Sequence, residues 1–197
     1  EIEEIFRRFH DIEPEPKGEL NSVNEFTFLV AVVLSAQATD MGVNRATSAL
    51  FKAVDTPEKM LALGEEGLRD YIKSIGLYRA KARNVIALSK ILVEKHGGKV
   101  PGEREALEAL PGVGRKTANV VLNIVFGEPT IAVDTPGKSP YDVEKGLLKA
   151  IPEKYLRHAH HWLILHGRYV CKARRPECWR CHMADICQFR EKSPAPV

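Results

Sequence analysis

The stretch Leu110-Pro-Gly-Val-Gly-Arg-Lys-Thr117 decides how the rest of this chain is read. A short helix, Arg104–Ala109, runs through Leu110 into Pro111-Gly112. A second helix follows over Arg115–Phe126, with Thr117, Ala118, Val121, Leu122 and Val125 on one face at helical spacing. Such a hairpin carries the backbone N–H groups of Gly112, Val113 and Gly114 at its tip, and glycine lets a ligand approach the backbone closely. The second helix adds its positive dipole end. Together these features suit a phosphodiester, bound without reading base sequence. A lone Pro-Gly-x-Gly would read as an ordinary turn between helices. The full string, with Arg115 and Lys116 following at once, favours the anion, and Gly112, Val113, Gly114 and Arg115 become candidate DNA contacts.

Lys116 falls in the first turn of the second helix, where the dipole disfavours its protonated form and so favours the neutral, nucleophilic amine. An amine beside a bound phosphodiester can attack the anomeric carbon of a sugar, form a Schiff base once the base has left, and so acidify the neighbouring carbon for elimination of the 3′ phosphate. Eighteen positions on, Asp134 follows the short apolar segment Ile131-Ala-Val133. A carboxylate there can stabilise an oxocarbenium ion or accept the lysine proton. By itself it reads first as a helix N-cap, and the two roles are compatible if only one oxygen caps.

The second strong signal is cysteine. All four, Cys171, Cys178, Cys181 and Cys187, fall within 17 residues in a C-x6-C-x2-C-x5-C pattern. In a reducing compartment disulfides are disfavoured, and four thiolates this close are best stabilised by a metal centre. Zinc and an iron–sulfur cluster both fit the spacing. Lys172, Arg174 and Arg175 lie inside the first loop of the pattern and offer cations to a DNA backbone.

Length and composition set the frame. The chain has 197 residues, 44% of them hydrophobic and 28% charged, enough for one domain or two small ones. No apolar run approaches the ~20 residues of a membrane span, and no signal peptide is legible, so a cytoplasmic, nucleoid-associated protein is expected. Net charge is only +3, but it is unevenly spread. Residues 1–25 carry eight acids against three bases, residues 73–99 seven bases against one acid, and residues 168–192 seven bases against three acids. Two basic regions this far apart can line one groove for a polyanion. Each alone also reads as a solvated helix face.

The chain reads as helix after helix. The pattern predicts helices over Ile2–His10, Asn24–Leu34 with Asn24 as N-cap, Met41–Phe51 capped by Asp40, and Thr56–Leu63 with Pro57 at the first helical position. It continues with Glu65–Ile75, Tyr78–His96 ended by Gly97-Gly98, the hairpin, Val143–Ile151 and Glu153–Arg168. No segment alternates over strand length, so the class is all-α. The tail Ser193–Val197 is expected to be disordered.

These residues together resemble the helix-hairpin-helix, Gly/Pro-loop, Asp superfamily of DNA glycosylases, and within it the endonuclease III branch. The resemblance runs from Ser35-Ala-Gln-Ala-Thr-Asp40 through Leu110–Asn119 to His160-His-Trp-Leu-Ile-Leu-His-Gly-Arg168 and the cysteines. It implies a two-domain helix-hairpin-helix glycosylase fold with a C-terminal iron–sulfur loop. A six-helix domain would span about residues 18–130, with the hairpin at about 103–126. A cluster domain would combine residues 1–17 with 131–197, with the DNA groove between the two. It also implies a base-excision-repair enzyme that removes oxidised pyrimidines and nicks the abasic strand by β-elimination. Lys116 would be its nucleophile and Asp134 its catalytic carboxylate. The four cysteines would bind a 4Fe-4S cluster, and Gln37 and Leu77 would fill the duplex where a base is flipped out. The partner would be double-stranded DNA carrying a damaged base or abasic site, bound by a monomer.

Three other functions are weighed. An adenine glycosylase of this fold lacks the lysine and carries a glutamate in the early helix, whereas Leu34-Ser-Ala-Gln-Ala38 has no acid. A monofunctional mismatch glycosylase has tyrosine at the lysine position. A non-enzymatic helix-hairpin-helix module with a zinc knot does not need the lysine–aspartate pair. One departure from the family stands out. After Val133-Asp-Thr135 the family continues with a histidine and a helix of roughly a dozen residues, but here Pro136-Gly-Lys-Ser-Pro140 follows at once. Proline forces Thr135 to extended geometry, and two prolines with a glycine forbid a helix across them. Either a natural deletion has remodelled one wall of the site, or a stretch between Thr135 and Pro136 is missing. Because every other site element is intact, the second reading is preferred.

Overall fold

The computed structural model describes residues 1–133 and 139–196. Among the described residues it contains nine α-helices, one 3₁₀ turn at Cys178–Arg180 and no strand. The helices are α1 Ile2–Ile12, α2 Glu25–Ser35, α3 Asp40–Ala53, α4 Pro57–Ile72, α5 Tyr78–His96, α6 Arg104–Glu108, α7 Arg115–Phe126, α8 Pro140–Ala150 and α9 Glu153–Tyr169. The chain divides into two compact units, Glu19–Glu128 and Glu1–Gly18 together with Pro129–Val197.

In the unit Glu19–Glu128, α2 is the centre. Asn24 caps it through a reciprocal pair: its Oδ1 accepts from the Thr27 N–H at 2.9 Å, and the Thr27 hydroxyl accepts from the Asn24 N–H at 3.0 Å. Every residue from Phe26 to Leu34 is buried. A helix apolar all round has to be surrounded, and α3, α5 and α7 pack against it. Each fully buried Leu or Val here contributes about 1.5–3 kcal/mol relative to exposure. The hydroxyls of Thr47 and Ser89, buried in this core, donate to the Val43 and Val85 carbonyls one turn back, at 2.9 and 2.7 Å.

Several helix ends differ from the sequence expectation. Thr39, not Asp40, caps α3, its Oγ1 accepting from the Gly42 N–H at 3.1 Å. The two helices expected over residues 56–75 form one element broken at Gly64, whose φ of 73° is non-helical. α8 starts at Pro140 rather than Val143. Ser139 caps it by accepting from the Asp142 N–H at 3.4 Å, and proline is tolerated at the first position, where its missing N–H is not needed.

The other unit gathers both ends of the chain. Phe6 and Phe9 of α1 pack with Tyr155, Leu156 and Trp162 of α9, with Ile131, Ile151 and Met183 completing the core. The Phe9 and Trp162 rings stack at 6.3 Å and 8°. Trp162 Nε1 donates to the Glu13 carbonyl at 2.8 Å, which satisfies the indole and fixes the chain leaving α1.

Candidate active site and nucleic-acid interface

The hairpin tip is a tight turn. The Val113 N–H donates to the Leu110 carbonyl at 3.0 Å, and Gly112 has φ 80°. Proline second and positive-φ glycine third is the type II pattern. This corrects one expectation: the Val113 N–H closes the turn and its side chain is buried, so Val113 shapes the tip while Gly112 and Gly114 are its exposed residues. The tip rests on Asn84 of α5 and Val33 of α2.

Gly114 is the N-cap of α7, and its carbonyl accepts the first helical hydrogen bond, from the Ala118 N–H at 2.9 Å. Among the described residues no side chain caps this end, and no acid sits in the first turn. Arg115 and Lys116 stand in this first turn, at the positive end of the helix dipole, where an anion is favoured. Lys116 is exposed. The Arg115 guanidinium lies 4.0 Å from the Glu108 carboxylate across the hairpin. Asp134 and the Thr135–Pro136 junction lie outside the described residues.

Gln37 and Leu77 occupy the α2–α3 and α4–α5 turns. Both are exposed, Leu77 at 62%, which rules out the core-leucine reading. Among the described residues only three that are not glycine have positive φ: Gln37 at 54°, Leu77 at 59° and Arg175 at 55°. The left-handed region costs an L-residue roughly 1–2 kcal/mol. Each of these residues is a DNA-contact candidate from the sequence, so the strain coincides with expected function.

The cysteines lie on the segment after α9. The Cys171 N–H donates to the His166 carbonyl at 2.7 Å, the Cys178–Cys181 turn closes at 3.2 Å, and the Met183 N–H donates to Cys181 Sγ at 3.4 Å. No three His, Cys, Asp or Glu side chains among the described residues converge tightly enough to share a single metal ion. Burial pushes the Cys171 thiol up, with the other three cysteines adding to it, whereas hydrogen bonding with Ser193 pushes the Cys178 thiol down. Four sulfur donors on one short segment, with Cys181 already accepting a backbone N–H, fit a polynuclear iron–sulfur group held by thiolates alone.

The cations of this loop differ. Lys172 and Arg180 both pair with Glu177, which holds the Glu177 carboxyl below its usual range. Arg174 and Arg175 are exposed. Ser193, expected in a disordered tail, donates to the Pro176 carbonyl and accepts from the Cys178 N–H at 3.5 Å. Two further residues bear on the loop. His166 Nε2 lies 3.7 Å from Cys181 Sγ, and Arg8 reaches the loop from α1. Nothing in the local sequence signals Arg8, which lies 174 positions from its first contact, the His182 carbonyl.

The family described as HhH-GPD superfamily base excision DNA repair protein matches residues 30–138. Endonuclease III of Rickettsia conorii is 56% identical over 200 residues, covering 95% of this chain and 95% of its own. Since 95% of 197 residues is about 187, about 13 positions of that 200-position alignment are filled in the relative alone. A structure of a non-covalent endonuclease III–DNA complex superposes with a TM-score of 0.86 at 43% identity, over 94% of this chain and 92% of that one. A trapped endonuclease III–DNA covalent intermediate gives a TM-score of 0.85 at 43% identity, over 93% and 92%. With the hairpin, its lysine and the four-cysteine loop all in place, this chain belongs to the endonuclease III branch of the HhH-GPD superfamily of base excision DNA repair proteins.

Proposed function

We propose that this chain is a bifunctional base-excision-repair enzyme that removes oxidised pyrimidines from duplex DNA and then nicks the abasic strand through a lysine Schiff base. The observation that carries the reading is Lys116, exposed in the first turn of α7, directly after a turn suited to a phosphodiester. The relatives' trapped covalent DNA intermediate supports it.

In this mechanism the damaged nucleotide leaves the duplex, because its anomeric carbon is unreachable within the stack. Gln37 and Leu77 occupy the vacated space. Gly112, Gly114 and Arg115 hold the adjacent backbone, with Val113 shaping the turn. The Lys116 amine forms a bond to C1′ as the C1′–base bond breaks, and the electron pair leaves with the base. Asp134 stabilises positive charge on the sugar and accepts the lysine proton. Ring opening yields the Schiff base, a proton leaves C2′, and the C3′–O bond breaks to release the 3′ phosphate. Hydrolysis returns the amine.

Cys171, Cys178, Cys181 and Cys187 would hold a 4Fe-4S cluster. When bound, it would cross-link the loop and so hold Arg174 and Arg175, with a lesser share from the Glu177-paired Lys172, against phosphate. The substrate is double-stranded DNA with a damaged base or abasic site, engaged by a monomer in the cytoplasm. Borohydride should trap the protein on abasic duplex, and Lys116→Gln should abolish trapping while leaving binding intact. Asp134→Asn should cut turnover by orders of magnitude with little change in affinity. A Lys116→Gln protein that cross-links at the wild-type rate refutes the assignment. Release of thymine glycol over uracil tests the lesion class.

A further inference from the structure

Five residues separate Cys181 from Cys187, and a single side chain from the opposite end of the chain grips two of them. Arg8 Nη1 donates to the His182 carbonyl at 2.8 Å. The same guanidinium makes a two-pronged pair with Asp185, from Nη1 to Oδ1 and from Nη2 to Oδ2, the second at 2.8 Å. Its remaining donor edge is held from behind, with Nε donating to Glu4 at 2.7 Å one turn earlier on α1. Arg8 is thus oriented before it meets the loop, and its side chain is only 24% exposed, whereas that of Asp185 is 64% exposed. A planar, doubly bonded contact of this kind fixes direction as well as distance.

The apolar face of α1 holds the same loop. Phe6 and Phe9 are buried in a cluster with Met183, and Cys181 and Ile186 pack against it. Gln188 Nε2, just beyond Cys187, donates to the Glu1 carboxylate at 3.1 Å. Residues 182, 183, 185, 186 and 188 are therefore all tied to α1 or its core. The loop's own hydrogen bonds are short-range turns, Ala184 N–H to the Cys181 carbonyl and Ile186 N–H to the Met183 carbonyl. They set its curvature but do not anchor it.

We propose that Arg8 is a positioning residue for the four-cysteine centre, clamping the Cys181–Cys187 loop so that both thiols stay directed at one metal group. The proposal rests on reading the four cysteines as an iron–sulfur site. Without Arg8 the loop keeps its turns and its apolar contacts with α1 but loses the two-pronged charged contact that fixes its polar side, so Cys181 and Cys187 would release the group more readily. Losing a charge-assisted pair shifts such an opening equilibrium by about tenfold or more.

The test measures iron and acid-labile sulfide per chain, and the rate of iron release to a chelator in air. Proteins compared are wild type, Arg8→Leu, Arg8→Lys, Asp185→Asn and the double variant Arg8→Leu/Asp185→Asn. Lys154→Ala serves as a control, since it breaks the Glu3–Lys154 pair that tethers α1 elsewhere. Arg8→Leu should release iron about tenfold faster than wild type. Arg8→Lys should fall between, because lysine keeps the charge without the fork. The double variant should be no faster than Arg8→Leu, as expected for two groups that act as one contact. Lys154→Ala should match wild type. Should Arg8→Leu fail to fold, Asp185→Asn carries the same expectation with α1 intact. Wild-type iron release from Arg8→Leu or Asp185→Asn, or equal acceleration by Lys154→Ala, overturns the clamp. Zinc in place of iron in the wild-type protein overturns the reading of the metal instead, so the two failures are distinct.

Discussion

Gly112, at the tip of the hairpin, sits against Asn84 of α5 so closely that a Cβ on the glycine would lie 3.0 Å from Asn84 Nδ2 and 3.1 Å from Asn84 Cβ. Val33 Cγ1 of the central helix would be 3.3 Å away. The turn proposed to take DNA is thus seated on the two helices that form the core beneath it. With φ at 80°, Gly112→Ala combines backbone strain with a contact that makes Asn84 or Val33 shift by a few tenths of an ångström. We expect a loss of about 1–3 kcal/mol of stability and weaker binding to abasic duplex. Gly114 has φ −98° and open space around its position, so Gly114→Ala should change stability by under about 1 kcal/mol. Thermal unfolding and binding titrations of the two variants check the contrast.

Leu77 and Gln37 carry left-handed backbones that only glycine adopts without cost. Leu77→Gly and Gln37→Gly should each raise stability, or leave it unchanged, by up to about 1 kcal/mol. Both should slow base removal from a fully paired lesion duplex. Leu77→Ala keeps the strained backbone and should lose the activity without the gain in stability. A Leu77→Gly protein with full activity would show that the tip does not enter the duplex.

Lys81 lies one turn into α5, 5% exposed, and its Nζ is buried without a hydrogen-bond partner. Burial pushes its amine below the usual lysine range. The unfolded chain therefore binds more protons than the native state between that lowered value and about 10.5. Stability should rise with pH across this window and level off above it. Lys81→Met removes the titrating group and keeps the packing, so it should flatten that rise and raise stability near neutrality by about 1–2 kcal/mol. Denaturant midpoints from pH 7 to 10.5 measure both effects.

In the cysteine loop, Lys172 is already paired with Glu177, whereas Arg174 and Arg175 are exposed. Neutralising Arg174 and Arg175 together should reduce the slope of log affinity against log salt by about 2, since each phosphate contact releases roughly one counterion. Lys172→Ala alone should reduce it by less than one. Equal slopes for all variants would place the loop away from DNA.

How much of this was legible beforehand follows from where each constraint acts. The hairpin, α5, and the starts of α2 and α4 were readable because their determinants are local: Asn24 and Thr56 cap within three residues, and Gly97 and Gly127 end helices by adopting the left-handed conformation alone. Thr39 and Asp40 are both good caps one position apart, so only the backbone shows which oxygen reaches Gly42. The cysteine spacing points to a metal centre because thiolates that close have few other stable states. What tertiary structure alone decided is non-local. Only the fold shows that the Val113 N–H closes its own turn, that Glu177 takes Lys172 and Arg180, and that Gln37, Leu77 and Arg175 share a strained backbone. It alone brings Arg8 across 177 positions to Asp185. Sequence patterns encode caps, turns and apolar faces because their energies are fixed within a few residues. Contacts between distant charges depend on where the packed core places them, and one chain's residue order carries no mark of that.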